Sequence, residues 1–292
     1  MTLEQLRIFV AVAERLHMTR AAESLNISQS AASAAVAALE ARHSVRLFDR
    51  VGRGLALSDA GRLFLAEARA VLARADAASQ VLDDLAGLKR GHVSIAASQT
   101  LASYWLPPRL ARFADQYPGI ELTLTAGNTA QVSVAVAEGL ADLGFVEGAI
   151  HHPLLVRERL AEDRIALFAA PDHPLTGVKV KPAVLRNLRW VLREQGSGTR
   201  SEFNHGLTRI GVEPAEIRAV LELPSNEAVL AAAAEYGGLV TAVSELAARP
   251  LIGAGRLVQL DLDLGVRAFE LITHKERMQS HAAEAFINAL RS

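Results

Sequence analysis

Cysteine is absent from the 292 residues, which excludes a disulfide-stapled scaffold, a thiolate zinc site and a cysteine nucleophile, and fits a reducing compartment. No apolar run reaches the length needed to span a bilayer. The opening Met1-Thr2-Leu3-Glu4 enters an amphipathic pattern directly, without a basic stretch and an apolar one ahead of it. Both absences lead us to expect a cytoplasmic chain. Charge of one sign is missing as well, since the formal net charge is −1. Basic character is local: between residues 42 and 62, Arg42, Arg46, Arg50, Arg53 and Arg62 outnumber Asp49 and Asp59. That is the balance of a nucleic-acid-binding segment diluted by a larger acidic part. With 50% hydrophobic residues, the chain is long enough for two or three separate cores.

Leu3, Leu6, Phe9, Val10, Ala13 and Leu16 recur at helical spacing and predict a first helix with one apolar face. Thr19 is placed to cap a short second helix carrying Ala21, Ala22 and Leu25. Asn26 and Ile27 make a turn, and Ser28 caps a third helix through Ala32, Val36 and Leu39. Alanine at 21 and 32 lets two helices cross closely, as in a helix-turn-helix. The second helix of that motif sets its first residues against base edges; here they are Gln29, Ser30 and Ser33, and Gln can bond adenine through two atoms. Solvated polar residues on a surface helix would look the same, so these residues alone leave both readings open. Leu47-Phe48-Asp49-Arg50 and Leu55-Ala56-Leu57 flank Gly52-Arg53-Gly54. This reads as a hairpin wing with Arg53 at its tip, near the sugar-phosphate backbone or in the minor groove, or as a solvated loop charge. A long helix starts at Ser58. Phe64, Val71, Ala78 and Leu85 fall at its a positions and Ala68, Ala75 and Leu82 at d, a seam for a second copy of the chain, the alternative being a stripe packed against its own domain. Gly87 to Gly91 reads as a hinge.

Beyond residue 91, strand and helix patterns alternate, as in a parallel α/β sheet. Strands are expected at Val93–Ala97, Ile120–Thr125, Ala141–Phe145, Ile165–Ala169, Trp190–Leu192, Val220–Leu223, Leu239–Thr241 and Ala268–Thr273, with a last helix near Ala282–Leu290. The stretch from Leu124 to Phe145 has a counterpart from Leu221 to Ala242. Two similar lobes around a ligand cleft, like a periplasmic binding protein, follow from that repeat. Helix starts at Ser98 and Thr100, at Thr129 and Gln131, at Gly196-Ser197-Gly198-Thr199-Arg200 and at Asn226, with Thr241 on a strand, supply the expected cleft residues. Backbone N–H groups, hydroxyls and a guanidinium favour an anion. Gly196 and Gly198 expose backbone as a close ligand would need, while Ser98 and Thr129 also suit plain helix capping. Glu147 follows a strand and is a further cleft candidate, although its carboxylate would oppose an anion unless Arg200 or another base neutralises it.

Helix one, Thr19-Arg20-Ala21-Ala22, Leu25, Ser28-Gln29-Ser30-Ala31, Ser33, Leu39-Glu40, Leu47-Phe48-Asp49-Arg50 and Ala60-Gly61 together resemble the LysR-type transcriptional regulators over the whole chain. The resemblance implies an α/β fold with a winged helix-turn-helix head at 1–58, a linker and dimerisation helix at 59–90, and a two-lobed effector domain at 91–292 (lobe I 91–161 and 267–292; lobe II 162–266). It implies promoter DNA, a small-molecule effector and a homodimer or homotetramer, with RNA polymerase as a further partner, no cofactor and no metal. Thr19, Arg20, Ser28 and Arg50 join Gln29, Ser30, Ser33 and Arg53 as expected DNA contacts, and Phe64, Val71, Ala75, Leu82 and Leu85 as the dimer seam. Arg193-Glu194-Gln195-Gly196-Ser197-Gly198-Thr199-Arg200 is similar to the subgroup of sulfite-sensing and carbon-fixation regulators, which points to a small inorganic or phosphorylated anion. Arg42 and Ser44 depart from the family's usual leucine and glycine, and Ala34 from a longer polar or basic residue. Fewer base contacts shift specificity towards the wing, DNA shape and dimer spacing.

Catalysis is disfavoured. Gly196-Ser197-Gly198 lacks the spacing of a nucleophile elbow and the lysine of a phosphate loop, and His151-His152 are adjacent rather than four apart, which is poor metal-ligand spacing. A plain solute-binding protein would share the cleft but not the first ninety residues.

Overall fold

The computed structural model describes residues 1–51, 54–85 and 91–291. They form two compact units, one built on residues 1–86 and one on the residues from 87 onward.

In the first unit, α1 (Leu3–Arg15) starts at a capping box: Gln5 N–H donates to Thr2 Oγ1 at 3.1 Å and Thr2 N–H to Gln5 Oε1 at 3.0 Å. α2 (Met18–Ser24) begins earlier than the sequence implies. His17 is its cap, with Nδ1 accepting from Arg20 N–H, and Thr19 stands exposed inside the first turn. The cap falls there because Leu16 ends α1 in the left-handed region at φ 48°, so the next extended residue is His17. Asn26, at φ 54°, makes the turn. Ser28 Oγ then accepts from Ala31 N–H at 3.1 Å to start α3 (Gln29–His43). Ala21, Ala22 and Ala32 are all at most 1% exposed; the close crossing depends on their small side chains. β1 (Phe48–Val51) and β2 (Gly54–Leu57) pair antiparallel, Phe48 opposite Leu57. Arg53 lies outside the described residues. α4 (Asp59–Leu85) follows, with Ser58 Oγ accepting from Gly61 N–H at 2.9 Å. A Cβ on Gly61 would meet the Leu47 carbonyl oxygen at 2.1 Å, so only glycine lets this helix approach β1.

The seam expected along α4 is corrected at its first residues. Phe64 stacks against Phe9 with ring centroids 4.9 Å apart, and Ala68 is buried beside Leu6, Phe9 and Leu39. They complete the unit's own core, because α1 needs an apolar lid on that side. Leu63 (77% exposed) and Val71 (42%) point outward, and Ala75 is half-buried. Leu82 and Leu85, as side chains, and residues 87–90 of the expected hinge lie outside the described residues.

The second unit is built on a nine-stranded sheet. Its strands are β3 (Gly91–Ser98), β4 (Ile120–Gly127), β5 (Leu143–Glu147), β6 (Leu155–Ala169), β7 (Arg189–Arg193), β8 (Ala219–Leu223), β9 (Leu239–Ser244), β10 (Val258–Leu260) and β11 (Val266–His274). The order is β4-β3-β5-β11-β6-β9-β7-β8, with β10 beside β6. β4-β3-β5 and β8-β7-β9 are parallel triplets of the same internal order, which is the repeat seen in the sequence. The sheet as a whole is mixed rather than parallel, since β6 and β11 run antiparallel between the triplets and join them. β6 is 15 residues long. Its first half is exposed or half-buried and its apolar residues are interrupted by charges, which is why only Ile165–Ala169 stands out in the sequence.

α5 (Pro107–Gln116), α6 (Thr129–Glu138) and α10 (His281–Arg291) belong to the first lobe. α7 (Gly198–Arg209), α8 (Asn226–Glu235) and α9 (Glu245–Gly253) belong to the second. Phe113, Phe145, Phe269 and Phe286 centre one core, and Trp190, Phe203, Leu167 and Leu207 the other. The helix expected after Thr100 is interrupted by a π-turn at Leu101–Trp105, because Pro107 and Pro108 lack the N–H donors a continuous helix would use. α9 and β10 are not apparent from the sequence.

Candidate functional site

On the first unit, Thr19, Arg20, Ser28, Gln29, Ser30 and Arg50 are exposed and Ser33 is half-buried. α3 presents a face of Gln29, Ser30, Ala31, Ser33 and Ala34, with Arg42 in its last turn and Arg46 after its end also exposed. Gln29 is not idle: its Nε2 donates to Ser33 Oγ at 2.9 Å, one helical turn on. Ser28 Oγ, besides capping, shares a 2.9 Å hydrogen bond with Ser30 Oγ. Glu40 has an internal role that sequence reasoning missed. Its Oε1 accepts from Leu47 N–H at 2.7 Å and Phe48 N–H at 3.2 Å, fixing the wing's first strand to α3.

The expected cleft residues of the second unit separate into two sets. The inner set lies at the junction of the lobes, and its members bond one another. Ser98 Oγ donates to Glu147 Oε2. Thr199 Oγ1 donates to Glu147 Oε1 at 3.3 Å. Asn226 Nδ2 donates to Thr100 Oγ1 at 3.0 Å, and Asn226 Oδ1 accepts from Arg193 Nη1 at 2.9 Å. All are buried. Thr100 and Asn226 therefore tie the lobes across the sheet, as do Tyr104 and Glu227 through a 2.9 Å hydrogen bond.

The outer set lines a cavity of about 340 Å³ bounded by α6, the loop 149–152 and the start of α7. Thr129, Gly196, Ser197, Gly198 and Arg200 belong to it, joined by Ser133, His151, His152, Gln195 and Asn204. Arg200 is buried. Its Nη1 donates to the Arg193 carbonyl at 3.1 Å, while its Nε has no hydrogen-bond partner among the described residues. Burial pulls its guanidinium down from the usual range, and Glu222, 3.6 Å away, acts against that.

Several readings need correction. Gly198 is glycine for an internal reason: a Cβ there would stand 2.1 Å from the Glu147 carbonyl oxygen and 2.4 Å from Thr129 Oγ1. Gly196 adopts φ +87°, a turn requirement. Neither needs a ligand to explain it. Gln131 is exposed and bonds Asn128 reciprocally (2.8 and 3.0 Å), closing the start of α6. Thr129 Oγ1 already donates to the Glu147 carbonyl at 2.8 Å. Thr241 is fully buried on β9, with no hydrogen-bond partner for its hydroxyl among the described residues. The base near Glu147 is Arg267 rather than Arg200.

Arg267 and Asp163, which the sequence did not single out, also stand at this junction. Arg267 Nε and Nη2 meet Asp163 Oδ2 at 2.8 and 2.7 Å, and Nη1 approaches Glu147 Oε1 at 3.4 Å. The signal lay in the strand alternation: Arg267, Phe269 and Leu271 share one inward face of β11, and Leu143, Phe145 and Glu147 one of β5.

Residues 3–62 match the family model for the bacterial regulatory helix-turn-helix protein of the lysR family, and residues 86–292 the LysR substrate binding domain. The chain belongs to the LysR family of transcriptional regulators. It is a DNA-binding regulator with an effector-binding domain. The HTH-type transcriptional regulator YeiE of Escherichia coli (strain K12) is 33% identical over 289 residues, covering 98% of this chain and 96% of that protein. The RuBisCO operon transcriptional regulator of Acidithiobacillus ferrooxidans is 34% identical, covering 92% and 85%. Among solved structures, full-length CbnR complexed with its target DNA matches this LysR regulator's fold with a TM-score of 0.71 at 24% identity, covering 100% of this chain and 99% of that one. The regulatory domain of Synechocystis PCC6803 CcmR in complex with 2-PG matches with a TM-score of 0.61 at 27% identity, covering 69% and 96%. No helix among the described residues is long and apolar enough to cross a membrane.

Proposed function

We propose that this LysR regulator changes its promoter binding in response to a small anionic effector that enters at the junction of the two lobes. The observation that carries the reading is the cavity of about 340 Å³ beside the start of α7, where buried Arg200 keeps an unpartnered Nε–H. A buried, unmet charged donor favours an anionic acceptor. The likeness to the CcmR regulatory domain, which holds the small anion 2-PG, supports the same class. The working division is a head at 1–58, a linker helix at 59–90 and an effector domain at 91–292, in a cytoplasmic homodimer or homotetramer that acts with RNA polymerase and performs no catalysis. DNA reading belongs to Gln29, Ser30 and Ser33, with Thr19, Arg20, Ser28, Arg50 and Arg53 towards the backbone. Ser133 and Ser197 offer hydroxyls in that cavity, and Ser98, Thr100 and Thr199 offer theirs to an effector group that reaches the inner set.

Thermal unfolding of the full chain with 2-PG, sulfate or phosphate tests this. A bound anion raises the midpoint with concentration by mass action. Stabilisation by neutral sugars or amines and by none of the anions would overturn the assignment. Duplex binding measured across a salt series provides the companion test, since phosphate contacts make affinity fall steeply as salt rises.

A further inference from the structure

The charges buried at the lobe junction do not balance within their own triad. Arg267, Asp163 and Glu147 have side chains 1–3% exposed and stand on β11, β6 and β5, which are neighbours in the sheet. Arg267 is directly opposite Asp163, and Glu147 is opposite Phe269, two residues along β11. One guanidinium thus serves two carboxylates. The two are not held equally. Asp163 takes Nε and Nη2 together on one oxygen, Oδ2, at 2.8 and 2.7 Å, both of them charge-assisted contacts. Glu147 has a single 3.4 Å approach to Nη1 and otherwise relies on the hydroxyls of Ser98 and Thr199. A carboxylate left over in a dry interior is costly unless another charge meets it.

Building on the anionic-effector reading, we infer that Arg267 receives the effector's anionic group and that Glu147 is the chain's own competitor for that place. The donors around Glu147 come from both lobes and from the strand that joins them: Ser98 at the end of β3, Thr199 in α7 and Arg267 in β11. They form the set an incoming carboxylate or phosphate would use. With Asp163 already on Arg267, a second anion beside Glu147 would leave at least two uncompensated charges out of water, so the effector binds by displacing Glu147. Asp163 acts as a positioning residue, holding the guanidinium with Nη1 beside Glu147 and on Thr199 Oγ1 at 3.2 Å. Displacement breaks the Ser98–Glu147 and Thr199–Glu147 bonds together, so occupancy of Glu147's place is reported in both lobes at once.

Isothermal titration of the full chain with 2-PG, and separately with sulfate, tests this. Glu147→Gln keeps the shape and removes the competing charge. Affinity should rise about tenfold, because more of the protein is then competent to bind. Arg267→Lys should weaken binding at least as much. Glu147→Ala is the second variant should the glutamine disturb folding, with the same direction expected. If the wild type and both Glu147 variants bind an anion equally well, Glu147 does not compete and the inference falls, while the anionic-effector reading stands. If the wild type and variants bind neither anion, the effector reading itself has failed. An Arg267→Lys protein that is folded by circular dichroism and binds like the wild type would also remove Arg267 from its assigned place.

Discussion

Gln29 Nε2 has two N–H donors and gives one of them to Ser33, so the amide is held on its own helix until a base edge competes for it. Its Nε2–Ser33 Oγ contact is 2.9 Å on an exposed face, where a neutral hydrogen bond contributes about 0.5–1.5 kcal/mol net. A bidentate base contact offers about 1–3 kcal/mol of discrimination, so the base wins. Gln29→Ala is therefore expected to relax preference at one base pair by about that amount, and Ser33→Ala, which frees the amide, to leave that preference in place. A binding-site selection on both variants checks this, and equal loss on every sequence for Gln29→Ala would contradict it. Ser44 stands where the family usually has glycine and adopts φ 52°, ψ 36° at the end of α3. A residue with a Cβ is strained there, so Ser44→Gly should raise stability by about 0.5–1 kcal/mol, read by chemical denaturation. His173 is buried, with Nδ1 accepting from Leu175 N–H at 3.2 Å. Burial holds its pKa below the ordinary 6.5, outweighing Asp172. The unfolded chain then binds the proton more readily, so His173's contribution is whole above pH 6.5 and is lost as the pH falls below it. His173→Asn should flatten that part of the stability profile, and an unchanged acid slope would refute it.

Elements show how far sequence pattern reaches. The helix-turn-helix is legible because alanines at 21, 22 and 32 have one structural use, a close crossing. The repeated strand–helix–strand units are legible because their strands are apolar runs. The outer half of β6 and the placement of Arg267 and Asp163 are not, since a charge in a strand reads as surface until its partner, 104 residues away, is known. The same limit misassigned Gly198. Its neighbour is the end of β5, and only the packing of α7 on Glu147 and Thr129 reveals it. Gly198→Ala would force a Cβ into a 2.1 Å contact with backbone, so the start of α7 must move away from β5. We expect a loss of about 1–3 kcal/mol in stability, as for other overpacked sites, and weakened effector response with sequence preference for DNA intact. Full effector response in this variant would show that the α7–β5 contact does not matter.

At the scale of the molecule, the two tasks rest on separately packed units. The first unit closes its own core, with Phe64 and Ala68 of α4 lying against α1. It thereby holds α3 against its own core, and α4 keeps Leu63 and Val71 outward. An effector can shift the equilibrium between DNA-binding arrangements only by binding one better than the other. On the proposed reading that differential affinity arises where the lobes meet, because ties such as Thr100–Asn226 and Ser98–Glu147 change if the lobes move. Deleting residues 92–292 should thus leave the rank order of preferred duplexes unchanged, lower the overall affinity and abolish any change on adding 2-PG. Gel-shift competition with the full chain and the fragment side by side separates these effects. A fragment that still responds to the anion would place the sensor within the first ninety residues.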